Sequence, residues 1–556
     1  MSDLSGVPPE PVLGEPPVLA HDPASTEARD TSVRVVGGAA PAAVTATTST
    51  MEGPVGPVPG LAPEQAAPVP ASVPKAPRRR RRRGRWFAVA GVLAVAGAGL
   101  VAGAALSDEG TPTATGAAPS ARLATPVLSA RRVPELVARP VALRNVAAAV
   151  GPVVGRFPDA SCVLVTDGAT SLAASGDTNP LIPASNIKLV TGSAALSTLG
   201  ADTRLTTKVV APAAPTGGTV AGDLFLVGGG DPLLSTSTAA RRWKHGPQPT
   251  SSLEALADDV VAAGVRRVDG AVVGDGTRFD DQRTVPSWAA ADVASGEVAN
   301  IGALMVNDAW TLDPIDPAGA AGGPAADPAA HAADVFTQLL EARGVEVVGP
   351  ARSGAAPAGA APVAELQSPT IREIVAEMDT FSDNTTAEVL VKEMGAAKDG
   401  AGSTKAGIQV LVADLATRGL PIEGLVMEDG SGLSRSNRVT CRLLDAVLAA
   451  DGPTGALTSG LARPGQPGTL DDRFLRPPLR DRVAAKTGTL SGITGLSGWV
   501  TTDSGRPLAF STVQNPAGRA VQAADLALQG QLLEALLTYP QAPPVEQLRP
   551  LPPAAA

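Results

Sequence analysis

Hydrophobic and polar positions divide this chain into stretches of different rhythm. The run Trp86–Leu106 is apolar and uncharged throughout. It matches the roughly 20 residues that cross a bilayer core as a helix. Further on the pattern shortens. "ALRNVAAAVGPVV" reads as a helix, and "SCVLVTDGATSLAASG" as two short strands around an Asp-Gly turn. "SNIKLVTGSAALSTLG" has helical spacing through Ile187, Val190 and Leu196 and ends at Gly200. "RLTTKVVA" and "GDLFLVGGGDPLL" predict strands. "SLEALADDVVAAGV" followed by "RRVDGAVVGD" predicts a helix and a strand, and "HAADVFTQLLEARGVEVVG" repeats the theme. From "SPTIREIVAEMD" the chain is mostly helical. "DRVAAKTGTLSGITGLSGWVTTDSGRPLAFSTVQN" then reads as consecutive strands, and "AADLALQGQLLEALLT" as a closing helix. The pattern predicts an α+β domain interrupted by a strand-rich insertion.

Composition adds the organisation around that domain. Residues 1–77 are rich in Pro, Ala, Val and acidic groups without apolar periodicity, and are expected to be a disordered cytoplasmic tail. Arg78 to Arg83 and Arg85 abut the apolar run and would hold its N-terminal side in the cytoplasm. Residues 78–106 are therefore expected to be a basic flank and an uncleaved membrane anchor, with the rest of the chain outside the membrane. Residues 107–140 read as a linker. Residues 141–202 and 366–541 form the two parts of the catalytic domain, 203–365 the insertion, and 542–556 a proline-rich tail. The net charge of -9 and the use of the arginines as a topology signal exclude a nucleic-acid partner. Two cysteines and three scattered histidines make no zinc site, and no metal or cofactor is called for. Cys162 and Cys441 sit in apolar contexts and are expected to be buried thiols, although they could pair outside the membrane. Asp231, in "GGGDP", is expected to shape a turn in the insertion.

Three short motifs carry the chemistry. Ser185-Asn186-Ile187-Lys188 places a serine and a lysine one helical turn apart. Ser382-Asp383-Asn384 lies at a helix-helix junction, and Lys486-Thr487-Gly488 opens a strand. Each alone could be structural, as a cap, a turn or a strand edge. Together and in this order they form the set found in class A β-lactamases and penicillin-binding proteins. A serine hydroxyl becomes a nucleophile when a neighbouring base takes its proton. Lys188 can do so if burial and a second cation, Lys486, favour its neutral form. Ser382 can relay a proton to the leaving amine, and Asn384 can hold Lys188 and the substrate amide. Lys486, Thr487 and Gly488 can receive a substrate carboxylate. The N–H of Thr489 can complete an oxyanion hole with the helix N-terminus at Ser185. A Ser-His-Asp triad is disfavoured, because His21 lies in the tail and His245 and His331 in the insertion.

The resemblance goes further. "GDLFLVGGGDPLL", "DGSGLSRSNRVT", "GTLDDRF" and "AAKTGTLSGITGLSGWV" look like stretches of the D-alanyl-D-alanine carboxypeptidase/endopeptidase group of low-molecular-mass penicillin-binding proteins, serine peptidase family S13. So does the long insertion, which class A β-lactamases lack. The resemblance spans about residues 140 to 540. It implies a transpeptidase-like antiparallel sheet flanked by helices, with one or two extra domains from the insertion. It also implies action on peptidoglycan stem peptides through an acyl-Ser185 intermediate, and acylation by β-lactams. Arg435 matches a residue of the stem-peptide side-chain pocket, and Asp292 is the candidate for its acidic partner. The alternatives are a β-lactamase or esterase of the same superfamily, and a wall-binding scaffold without turnover.

Overall fold

A computed structural model describes residues 133–240, 248–311 and 322–544, with residue 547. The expected tail, basic flank and membrane anchor lie outside the described residues, as do His21 and His245. The described chain opens with α1 (Pro134–Val154). This helix begins inside the stretch expected to be linker. Proline at its N-terminus suits a first turn, and Ala142, Val146 and Val150 form an i, i+4 stripe that is buried. Strands β1 (Ser161–Asp167) and β2 (Thr170–Ser175) follow as the expected hairpin. Gly168 takes the left-handed conformation that such a turn requires. A short 3-10 turn, Ala184–Ile187, leads into α2 (Lys188–Ala195).

The inserted region runs through β3 (Arg204–Ala211), β4 (Leu224–Val227), α3 (Leu253–Ala262), β5 (Val272–Asp275), α4 (Pro328–Glu341), β6 (Arg352–Ser353) and β7 (Ala361–Thr370). Its main sheet has the order β6-β5-β4-β3-β7. The pairs β4–β5 and β5–β6 are parallel, so α3 and α4 serve as crossovers. The region is thus mixed helix and sheet rather than strand-rich. Asp231 shapes a local turn there, accepting from Leu233 N, and Ser251 donates to it.

The chain then returns to the first domain through α5 (Ile371–Phe381), α6 (Asn384–Asp399), α7 (Thr404–Thr417) and α8 (Cys441–Asp451). Thr370 and Glu373 form a capping box at the start of α5. Strands β8 (Val483–Leu490), β9 (Ile493–Thr501) and β10 (Pro507–Gln514) follow, and α9 (Ala523–Leu536) closes the fold. The second sheet, β8-β9-β10-β1-β2, is antiparallel throughout. One face packs Val163, Leu496 and Phe510 with α1 and α9 residues such as Val146 and Leu532. The other packs Cys162 and Val513 against α2, α5, α6 and α8. Strand β8 is an edge of this sheet.

Cys162 on β1 and Cys441 at the start of α8 form a disulfide, with Cα atoms 5.9 Å apart. This corrects the expectation of two thiols. Each cysteine is apolar in its local context, but sheet and helix bring the pair within bridging range across 279 residues, a proximity that no local pattern carries.

Candidate active site

The segment that carries Ser185 and Lys188 is positioned by an unusual backbone. Ala184 has φ 47°, a left-handed conformation that only tight surroundings impose on a side-chain-bearing residue. Those surroundings include Gly432, where a Cβ would sit 2.2 Å from the Ala184 carbonyl oxygen. Ser185 comes next and is half-buried, while Lys188 is fully buried. The Lys188 amine donates to Ser185 Oγ at 3.1 Å, to Asn384 Oδ1 at 2.7 Å and to the Ser431 carbonyl at 2.7 Å.

Ser382-Asp383-Asn384 makes the joint between α5 and α6. Ser382 ends α5 in the left-handed conformation, and Asp383 caps α6 by accepting from Thr386 N at 2.8 Å. Asn384, the first residue of α6, is thereby aimed at Lys188, and its Nδ2 donates to Glu297 O at 2.6 Å. The capping function and the contact with the lysine coexist in one tripeptide.

Lys486 is the fourth residue of β8 rather than its opening, and it is fully buried. Gly488 packs directly on Asn186: a Cβ there would lie 2.4 Å from its side-chain amide. Ala485 N donates to Ala462 O across the outer edge of the sheet. Alternation along a strand then turns the N–H groups of Thr487 and Thr489 to the same open edge. A cleft of about 700 Å³ runs along it, lined by Ser185, Ser382, Asn384, Thr487, Thr489, Asp292, Glu297, Ser491 and Arg473, among others.

Burial governs the charges here. It pushes the Lys188 ammonium down to about 8, against the opposing pull of Asp383, Asp429, Glu388 and Asp379. Lys486 is pushed down to about 7 by burial and then by the charge of Lys188. The repulsion between the two lysines is mutual: a charge on either one disfavours a charge on the other. Burial raises Asp379 to about 7, against the attraction of Lys486 and Lys188. Both of its oxygens are buried without a hydrogen-bond partner. A neutral amine 3.1 Å from a serine hydroxyl, beside an open strand edge, can accept that hydroxyl's proton as an acyl group is transferred.

Asp292 lines the cleft and is half-buried. Arg435 is exposed at its margin, and its Nη2 donates to Ser491 O at 2.7 Å. No ion pair joins Arg435 to Asp292 among the described residues. His331 bonds Trp310 O in the insertion, outside the cleft lining.

Several contributors carry no motif. Ser431 acts through its carbonyl and Glu297 through its carbonyl, and a backbone atom has no sequence signature. Glu388 and Asp429 hold the turn that contains Ser431. Glu388 could have been found, because Asn384, Glu388 and Lys392 repeat every four residues on one helix, and Glu388 stands alone among Ala387, Val389, Leu390 and Val391.

Fold and site together have the form of an active-serine acyl-transfer enzyme with a paired lysine base. The family assignment agrees with that form. The family model described as D-Ala-D-Ala carboxypeptidase 3 (S13) matches residues 154–326 and 320–534, and the chain belongs to this family. It is 34% identical over 445 residues to a D-alanyl-D-alanine carboxypeptidase of Actinomadura sp. (strain R39), covering 65% of this chain and 79% of that protein. It is 32% identical over 379 residues to carboxypeptidase DacB of Mycolicibacterium smegmatis, covering 66% and 77%. The crystal structure of penicillin-binding protein 4 (dacB) from Haemophilus influenzae superposes with a TM-score of 0.59 at 20% identity, over 69% of this chain and 98% of that one, which is a likeness of fold.

Proposed function

We propose that this protein removes the terminal D-Ala from peptidoglycan stem peptides ending in D-Ala-D-Ala, through an acyl-Ser185 intermediate. The observation that carries the reading is the Lys188 amine, buried and shared between Ser185 Oγ and Asn384 Oδ1. In this mechanism Lys188 takes the Ser185 proton as Oγ attacks the carbonyl of the penultimate D-Ala. The N–H groups of Ser185 and Thr489 receive the developing oxyanion. Lys486 and Thr487 hold the terminal carboxylate, with Gly488 keeping the strand close to Asn186. Ser382 passes a proton to the departing D-Ala amine as the C–N bond breaks and is reprotonated by the Lys188 ammonium, which returns the lysine to its neutral form. Water then attacks the ester and gives a proton to Lys188, which passes it to Ser185 Oγ as the Oγ–acyl bond breaks and the shortened peptide leaves with a free carboxylate.

Four further readings go with it. The same acyl transfer would cut D-Ala cross-links between stem peptides. β-Lactams would acylate Ser185 and stay. Arg435 and Asp292 would meet the side chain of the stem peptide's diamino acid. The arginine-flanked apolar run would anchor the chain with the catalytic domain outside the cytoplasm, and the Cys162–Cys441 disulfide suits an oxidising compartment. Incubation with a defined pentapeptide and with a cross-linked muropeptide, followed by mass analysis, tests the reading. Loss of one D-Ala from the pentapeptide is expected; an unchanged pentapeptide would contradict it. Deleting residues 1–106 is expected to give a soluble, active enzyme.

A further inference from the structure

We infer that Glu388 is a positioning residue for Lys188: its carboxyl group fixes the turn whose Ser431 carbonyl holds the lysine amine beside Ser185. The inference rests on the proposed acyl-serine mechanism, with Lys188 as the base.

The geometry runs in a closed circuit. Helix α6 presents Asn384 and, one turn later, Glu388. Asn384 Oδ1 accepts from the Lys188 amine at 2.7 Å. Glu388 Oε1 accepts from Gly430 N at 3.0 Å and from Ser431 N at 2.8 Å. The Ser431 carbonyl, on the same residue, accepts from the Lys188 amine at 2.7 Å. Thr191, on α2 one turn beyond Lys188, donates to Gly430 O at 2.8 Å. Besides Ser185 Oγ, the lysine is therefore held by two acceptors, one on α6 itself and one on a turn that α6 holds through Glu388.

The same turn touches the nucleophile. Gly432 packs so tightly on the Ala184 carbonyl and Ser185 N that a Cβ would lie 2.2 and 3.1 Å from them. A shift of the turn would move base and nucleophile together. Asp429 cannot replace Glu388 here, because its bonds go to the other side of the turn: Gly432 N, Ser434 N, Asn437 Nδ2 and Trp288 Nε1.

The chemistry suits a neutral acid. Glu388 is buried, and its second oxygen has no hydrogen-bond partner. Burial, and then the charge of Asp429, raise it to about 8. The charged groups it interacts with are Asp429 on the turn, Lys188 on α2 and Lys392 one turn along its own helix. An ionised Glu388 would favour the ammonium form of Lys188. The protonated acid accepts the two N–H bonds without offering the lysine a counter-ion.

The test compares Glu388→Gln and Glu388→Ala in the full-length protein. Acylation by a fluorescent penicillin is followed from pH 6 to 10, alongside thermal unfolding. Glutamine keeps an oxygen acceptor and cannot ionise. It should retain most of the rate, with the rise of acylation with pH completed at lower pH than in the wild type. Alanine should lose about 10-fold or more at every pH, the scale of a misplaced catalytic group. Equal losses in both variants, or a wild-type rate in the alanine variant, would overturn the inference. If the alanine variant does not fold, the glutamine profile decides: an unshifted rise overturns it. A wild-type protein that penicillin does not acylate would instead defeat the underlying mechanism.

Discussion

The two sheets of this protein sit on cores of different character. Around β3–β7 the packing is apolar: Val209, Leu226, Val272, Leu304 and Phe336 lie together, and α3 and α4 seal them. Around α2, α5 and α6 the core has similar aliphatic packing but also encloses Lys188, Glu377, Asp379 and Glu388, with Lys486 entering from β8. Burying charge is costly unless it is neutralised or well bonded, and here burial shifts the lysines down and the acids up. A fold that needed only stability would resemble the first core. The second carries groups whose proton affinities are brought near neutrality, which is the condition for proton transfer. The inserted region reaches this chemistry where Trp288 bonds Asp429 and the Glu297 carbonyl accepts from Asn384.

Mutations in the two regions should therefore separate rate from stability. Ser185→Ala should have the largest effect: D-Ala release and penicillin labelling should fall by ~10⁴-fold or more, with the unfolding transition unchanged. Residual labelling at wild-type speed would remove Ser185 from its role. Phe336→Ala, in the inserted core, should cost about 3–5 kcal/mol of stability, read from denaturant unfolding. Acylation by the folded fraction should change little; a parallel collapse of acylation would mean that the two cores are not separable.

Lys188→Arg keeps a cation but removes the neutral base. Acylation should fall at least ~10²-fold. The sign of the pH dependence follows from the same group. Below about 8 the Lys188 amine is protonated and cannot take the serine proton, so wild-type acylation should rise as pH passes through about 8. Lys486 acts oppositely, since it must be charged to hold a carboxylate. Above about 7 it loses its proton in the free enzyme, so KM for the peptide should increase. A pH-independent acylation rate would break this account. The smallest effect is expected at the margin of the cleft. Arg435→Ala should cost about 1.5–3 kcal/mol in kcat/KM for a stem peptide with a free side-chain terminus, and much less in penicillin acylation. Equal losses for both ligands would point to a disturbed Ser491 rather than to a side-chain pocket.

What could be seen in the sequence follows from range. The Asp167-Gly168 turn, the helix stop at Gly200 and the consecutive strands from Val483 rest on neighbouring residues, and the pattern shows them. The spacing of Ser185 and Lys188 is likewise local, one turn of a helix. The joining of Cys162 to Cys441 is not, and neither is the parallel pairing of β4 with β5, which depends on where α3 packs. The start of α1 at Pro134 was hidden because its buried stripe is mostly alanine and valine in a stretch whose composition continues the linker. Partners that act through backbone atoms, such as Ser431 and Glu297, have no residue preference to reveal them.

The central claim is that Ser185 Oγ is the nucleophile that receives the acyl group. Its most direct test is to incubate the protein with benzylpenicillin, digest it, and locate the adduct by mass spectrometry. The account predicts a single penicilloyl group on Ser185, in the peptide that contains Lys188. A penicilloyl group on any other residue, or D-Ala release by a protein that forms no adduct at Ser185, would contradict it.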